Sequence, residues 1–208
     1  MKNVIEILKK TQADCKKYGA WLTINAPRVE DLFVMLHNHA MSTQEILDCI
    51  GTLIVKTKKE ANQRVMLIIR SNWIFSLSIV EYSIKRIIRQ SKSGPLVEWY
   101  LGLADNKHVR GAKRGFSLRT VMKQSHKAMM IDDEQSQSWA SLQDMRNSII
   151  HNNGFVEESK TFRIGNVAKE IGVGERIQYS HLDGAYFIQL IPTMTQNWIE
   201  KYLEYHTV

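Results

Sequence analysis

Cysteine and proline are scarce in this chain of 208 residues, which has two of the first and three of the second. Cys15 and Cys49 have no metal-ligand spacing and cannot build a disulfide framework, so a reducing cytoplasm is the expected compartment. Three prolines and eleven glycines leave no room for long linkers or low-complexity segments. Long apolar runs are missing too. The most apolar stretch, VMLIIRSNWIFSLSIV (Val65 to Val80), is interrupted by Arg70 and Asn72, and it is shorter than a bilayer needs. It reads as a buried helix, and no membrane partner is expected. The first residues, MKNVIEILKKTQADCKK, mix Glu and Asp into an amphipathic pattern, unlike the unbroken apolar region of a signal peptide. Nucleophile motifs and glycine-rich phosphate loops are absent, since GVGE lacks the further glycines and the lysine. Acid is missing from one long region. Asn106 to Ile131 holds Lys107, Arg110, Lys113, Arg114, Arg119, Lys123 and Lys127 with no Asp or Glu. Together with a formal charge of +7, this favours polyanionic partners, and the run is a candidate RNA-contact surface as well as an ordinary solvated face.

What is present is helical periodicity. Lys2 to Tyr18 reads as a short helix, and Pro27 opens a second through PRVEDLFVMLHNHA. From Thr43 the pattern continues almost to Arg89, with Gly51 and KTKKEANQR as the place for a break. The second half is apolar nearly all round, the mark of a central helix packed on several sides. A brief helix follows at LVEWYLGLADN, another from Ser117 onwards, and another over Asp132 to Asn152. Asp132 is the expected N-cap with Gln135 three residues on, and Gly154 the expected left-handed position at the far end. KTFRIGN and ERIQYSHL, separated by Gly172 and Gly174, predict a small hairpin. Tyr186 to Tyr205 closes the chain as an amphipathic helix, with a possible restart at Pro192. The expectation is a mainly α fold, a compact helical bundle with a small β-hairpin near the C-terminal helix. It forms one domain over 1–208: a helical N-terminal extension (1–60), a core (61–155), then hairpin and last helix (156–208).

One stretch looks chemical. DMRNSIIHNNG, Asp144 to Gly154, puts Arg146, Asn147 and His151 at a helix end. At about 100° per residue, Trp139, Leu142, Met145 and Ile149 form the core stripe with Arg146 at its flank, and Asn147 and His151 share an adjacent face. Arg146 and His151 are roughly 140° apart, so within one helix they form no compact pair. They converge if Arg146 reaches around, if the last turn is distorted, or if a two-fold axis brings in a second copy. Histidine titrates near neutral pH and can move protons. Arginine offers a permanently charged fork of donors to phosphate oxygens. Together they suit RNA cleavage by the ribose 2′-hydroxyl without a metal. His37 and His39 diverge on a helix and do not make a metal pair, so no metal or other cofactor is expected.

RNSIIHNNG resembles the signature of the HEPN superfamily (higher eukaryotes and prokaryotes nucleotide-binding), an Arg, often a following Asn, and a His four to six positions after the Arg. SLSIVEYSIKRI (Ser76 to Ile87), with Glu81 in an apolar stripe, is similar to the family's earlier helix, and the resemblance covers roughly Val65 to Gly154. It implies a compact helical domain, homodimerisation, and in many members metal-independent endoribonuclease activity in toxin–antitoxin or phage-defence systems. In that reading Arg146, Asn147 and His151 are catalytic, and Glu81 either orients Arg146 or merely pairs with Lys85. RNA is the substrate, and an antitoxin or regulatory protein is a possible partner. Some relatives carry a Tyr two residues after the His as a modification target; here Asn153 stands in its place. Two rivals remain open: a non-catalytic HEPN module that binds RNA or a partner protein, and an unrelated helical scaffold in which the motif only caps a helix.

Overall fold

The structure, a computed structural model, describes residues 2–25, 30–52, 57–105 and 116–206. Among these residues the chain is mainly α with one small hairpin: α1 (Lys2–Asn25), α2 (Glu30–Gly51), α3 (Lys58–Gln90), α4 (Pro95–Asp105), α5 (Leu118–Lys127), α6 (Asp133–His151), β1 (Lys160–Ile164), β2 (Val167–Ile171) and α7 (His181–Tyr205). They fall into two compact units, 1–80 with 178–195, and 81–177 with 196–208. This partition differs from the three segments expected within a single domain. Residues 1–60 are not a unit by themselves, because 178–195 completes the first one.

In the first unit α1 runs further than Tyr18, to Asn25, and lies along α2. Gln12 donates to Gln44 at 2.6 Å while Gly19 and Ala20 share a groove with His37 and Ala40, so the two helices are antiparallel. Burial pushes the Cys15 thiol up to about 12, with nearby Asp14 adding to it, and the thiol is inert. Helix α2 is continuous through Thr43, and the break falls after Gly51 as expected. Thr57 then caps α3, its hydroxyl accepting from the Glu60 amide at 3.1 Å, the arrangement that T-x-x-E favours at a helix start. Trp73, Leu77 and Phe187 are fully or almost fully buried, with the Trp73 indole donating to the Tyr179 hydroxyl at 2.9 Å. Yet α3 is not packed all round. Leu67, Phe75 and Tyr82 are 59%, 55% and 64% exposed along one face, and only 39% of the helix's most apolar window is buried. By length and composition it is the one described helix that could cross a membrane, a test that core helices also pass.

Helix α7 begins earlier than Tyr186 because Ser180 and Asp183 cap it reciprocally. The Asp183 amide donates to the Ser180 hydroxyl at 3.1 Å, and the Ser180 amide donates to the Asp183 carboxylate at 2.9 Å. It then passes through Pro192 without restarting. Proline has no N–H to give the carbonyl of Ile188. His39 supplies the donor instead, its Nε2 lying 3.1 Å from that oxygen. Since a carbonyl only accepts, Nε2 carries the proton. Burial lowers the His39 pKa to about 4, against the raising effect of this hydrogen bond, so the ring is neutral at neutral pH.

In the second unit α6 is the hub, packing on α5 and on β1. Trp139 and Leu142 are completely buried, and Trp198 donates to Ser125 at 2.9 Å. Ser117 and Asp132 cap α5 and α6, accepting from Thr120 (3.2 Å) and Gln135 (2.8 Å). Strand β1 pairs antiparallel with β2, Ile164 opposite Val167. The partner expected at ERIQYSHL is not a strand, since Arg176 makes only an isolated bridge with Phe155. Gly165, at φ +54, opens a two-residue turn with Asn166, and a two-residue loop with glycine first selects the nearer segment. The serines of α6 hold the hairpin: the amides of Arg163 and Gly165 donate to Ser141 and Ser138, each at 2.9 Å. Near the chain's end, neutral His206 accepts from the Leu96 amide at 3.1 Å and donates to the Tyr202 carbonyl at 2.9 Å, capping α4. Its ring lies against Gly94 (φ +126), where a Cβ would meet it.

Candidate functional site

The motif occupies the last turns of α6, where the chain turns back. Asn153 takes the first left-handed position (φ +52) and Gly154 the second (φ +87), so the glycine is one residue later than a simple glycine cap requires. Asparagine tolerates this conformation through its short polar side chain. The Gly154 amide donates to the Ser148 carbonyl at 2.8 Å, closing the helix end.

The three motif residues are separated as their angular positions predict. Arg146, beside buried Met145, is largely covered, whereas Asn147 and His151 are exposed. Arg146 Nη1 donates to Glu81 Oε2 at 3.2 Å, and Lys85 Nζ holds the other oxygen at 2.6 Å. Glu81 Oε1 also accepts from the amide of Leu118 at 3.3 Å. The two readings of Glu81, paired with Lys85 or set on Arg146, therefore hold together. Burial works to raise the Glu81 pKa, but Lys85, the Leu118 amide and Arg146 outweigh it and hold the carboxyl below the usual range. Neither Asn147 nor His151 has a polar partner among the described residues. Arg146 keeps its Nε buried without a partner, as do Gln143 Nε2 and Trp139 Nε1 on the same side of α6. Such a row of donors asks for acceptors, and ordered water is the ordinary solution.

The basic run divides. Lys107, Arg110, Lys113 and Arg114 lie outside the described residues, so the structure places only Arg119 and Lys123 of the six RNA-contact candidates. Both lie on the exposed face of α5, opposite buried Leu118, Val121 and Met122. Arg119 is not a free cation: its Nη1 is 2.6 Å from Asp144 Oδ1, and Lys160 Nζ is 3.7 Å from Oδ2. Sequence reasoning missed this Asp144 cluster. Asp144 sits seven residues before His151 and so on the same face, a legible spacing, but nothing in the sequence announces Lys160 of β1.

A cleft of about 670 Å³ elsewhere in this unit is lined by Asp132, Asp133, Glu200 and Glu204 and contains no motif residue. At its lip Met129, 83% exposed, takes the left-handed φ of +56 at the end of α5. Among the described residues no group of three or more His, Cys, Asp or Glu side chains could hold a metal. No family model, curated protein or solved structure matches this chain.

Proposed function

We propose that the protein is a HEPN-type, metal-independent endoribonuclease acting in the cytoplasm as a homodimer, in a toxin or anti-phage setting. The observation that supports this reading most is the unequal placing of the motif. Arg146 is anchored on the Glu81 carboxylate at 3.2 Å, while Asn147 and His151 stand exposed and unpartnered one turn apart at the helix end. A histidine that only capped the helix would be expected to engage the last carbonyls, and His151 engages none among the described residues. In this mechanism His151 takes the proton from the ribose 2′-hydroxyl. The 2′-oxygen attacks phosphorus, the bond to the 5′-oxygen breaks, and that oxygen leaves with a proton. The products are a 2′,3′-cyclic phosphate and a 5′-hydroxyl. Arg146, exchanged from Glu81 to the phosphorane or supplied across a two-fold axis, stabilises the growing negative charge. Asn147 positions the phosphate or His151.

A second reading has its own support. The covered Arg146, with Nε buried and Nη1 on Glu81, suits a structural arginine in a non-catalytic module that binds RNA or a partner protein. Incubation of defined RNA with the purified protein in excess chelator separates the two. Cleavage with cyclic-phosphate ends, lost in His151→Ala, supports the enzyme, and binding without cleavage favours the module. A homodimer is tested by mixing Arg146→Ala and His151→Ala chains, since a shared cleft gives the heterodimer an activity unlike either parent.

A further inference from the structure

Arg146 is engaged by Glu81, so the cations available beside the His151 face must come from elsewhere. Asp144 precedes His151 by seven residues. On an α-helix that is about 20° around the axis and about 10.5 Å along it, so Asp144, Asn147 and His151 share one side of α6. Onto Asp144 converge two cations from two other elements, Arg119 of α5 at 2.6 Å and Lys160 of β1 at 3.7 Å. One carboxylate cannot balance both, and the cluster keeps a net positive charge. Arg119 is 58% exposed and Lys160 42%, against 18% for Asp144, so the donors face solvent above a carboxylate that sits beneath them. A guanidinium has five N–H groups, and binding Asp144 through Nη1 leaves others for a second anion.

We propose that Arg119 and Lys160, gathered on Asp144, form a subsite for a backbone phosphate of single-stranded RNA next to the His151 face, and that Asp144 is its built-in competitor. The subsite rests on the ribonuclease reading for its role, positioning a phosphate that neighbours the scissile one. Its existence is a matter of binding alone. Asp144 prearranges the two cations, but its own charge repels the incoming phosphate and occupies their strongest donors. Removing that charge while keeping the side chain's shape therefore tightens RNA binding, the opposite of what breaking a stabilising surface pair would suggest.

The test uses the full chain with His151→Ala, so that RNA stays intact, and a dye-labelled single-stranded oligoribonucleotide titrated by anisotropy over a range of salt. Adding Asp144→Asn is expected to tighten binding about threefold at low salt, in line with the loss of one exposed competing pair. Adding Arg119→Gln and Lys160→Gln is expected to weaken it about tenfold and to flatten the log affinity against log salt slope by roughly 0.7 to 1.4, for one or two phosphates released. Unchanged or weaker binding with Asp144→Asn, or an unchanged slope in the double variant, overturns the subsite. Both glutamine positions are exposed, so the double variant keeps the proposal testable if Asp144→Asn does not fold. Cleavage is scored separately with His151 in place. Its absence removes the ribonuclease reading and leaves the binding result to decide the subsite.

Discussion

His39 and His151 are the same side chain in opposite circumstances. His39 is buried in the first unit, its ring holding the carbonyl that Pro192 cannot serve, and its pKa is driven down to about 4. His151 ends α6 in the second unit, exposed and with no partner among the described residues. A titratable group whose ring is spoken for by the backbone is a structural part, however suggestive its neighbours in sequence. One left without a partner at a helix end is available for chemistry. His37 and His39 looked more like a site than His151 did, and only burial and partners reverse that ranking.

The sharpest way to break the comparison is at His151. His151→Ala is expected to lower RNA cleavage by about 10²–10⁴-fold, the usual contribution of a general acid–base group, with the thermal midpoint unchanged. Wild-type cleavage by the folded variant would remove the distinction. His39→Ala should do the reverse, leaving cleavage chemistry alone and destabilising the protein by about 3 kcal/mol through the orphaned Ile188 carbonyl and the cavity. Chemical denaturation at neutral pH measures it. Acid offers a reading of the same contact without mutation. The unfolded chain binds a proton at His39 near pH 6.5 and the folded chain only near 4, so stability is full above about pH 6.5 and falls by about 3 kcal/mol on the way down to pH 4. That component should vanish in His39→Gln, which keeps a donor and does not titrate.

Glu81 lies between the two extremes, half-buried and shared by Lys85, Arg146 and an amide. Glu81→Gln is expected to cost about 1–3 kcal/mol, since it weakens charge-assisted bonds and leaves Arg146 without a counter-ion. Because the folded-state pKa is depressed, the wild-type advantage is present above the ordinary glutamate range and fades as pH falls below it. Equal stability of the two proteins at pH 7 would remove Glu81 as the anchor of Arg146. The smallest effect belongs to Met129. Met129→Gly relieves a left-handed backbone in an exposed side chain and should raise stability by up to about 1 kcal/mol, read as a small upward shift in the thermal midpoint.

Much of this was legible where the signal is local. Asp132 and Ser117 announce their helices through an oxygen and an amide three residues apart, and the periodicity of Trp139, Leu142 and Met145 identifies the buried face of α6 before any coordinates. Local signals were also overlooked, because Ser180 and Asp183 cap α7 with the same chemistry and Gly165–Asn166 sets the hairpin partner. What could not be read is distance in sequence. Nothing near His39 points to Ile188, and nothing near Asp144 points to Lys160, so burial, polarity and pKa at those positions come from contacts the chain makes only when folded. In the candidate site the helix end and its three residues were legible. The anchoring of Arg146 on Glu81 was one alternative of two, and the Asp144 cluster was invisible.

The serines that seat the hairpin on α6 have a further consequence. A two-stranded ribbon normally presents unpaired amides along its edges and invites another strand to add. Here the outward amides of Arg163 and Gly165 are already committed to the hydroxyls of Ser141 and Ser138. That edge of β1 cannot template a foreign strand, and the hairpin is protected from sheet extension and the aggregation that follows it by the same helix whose end carries His151.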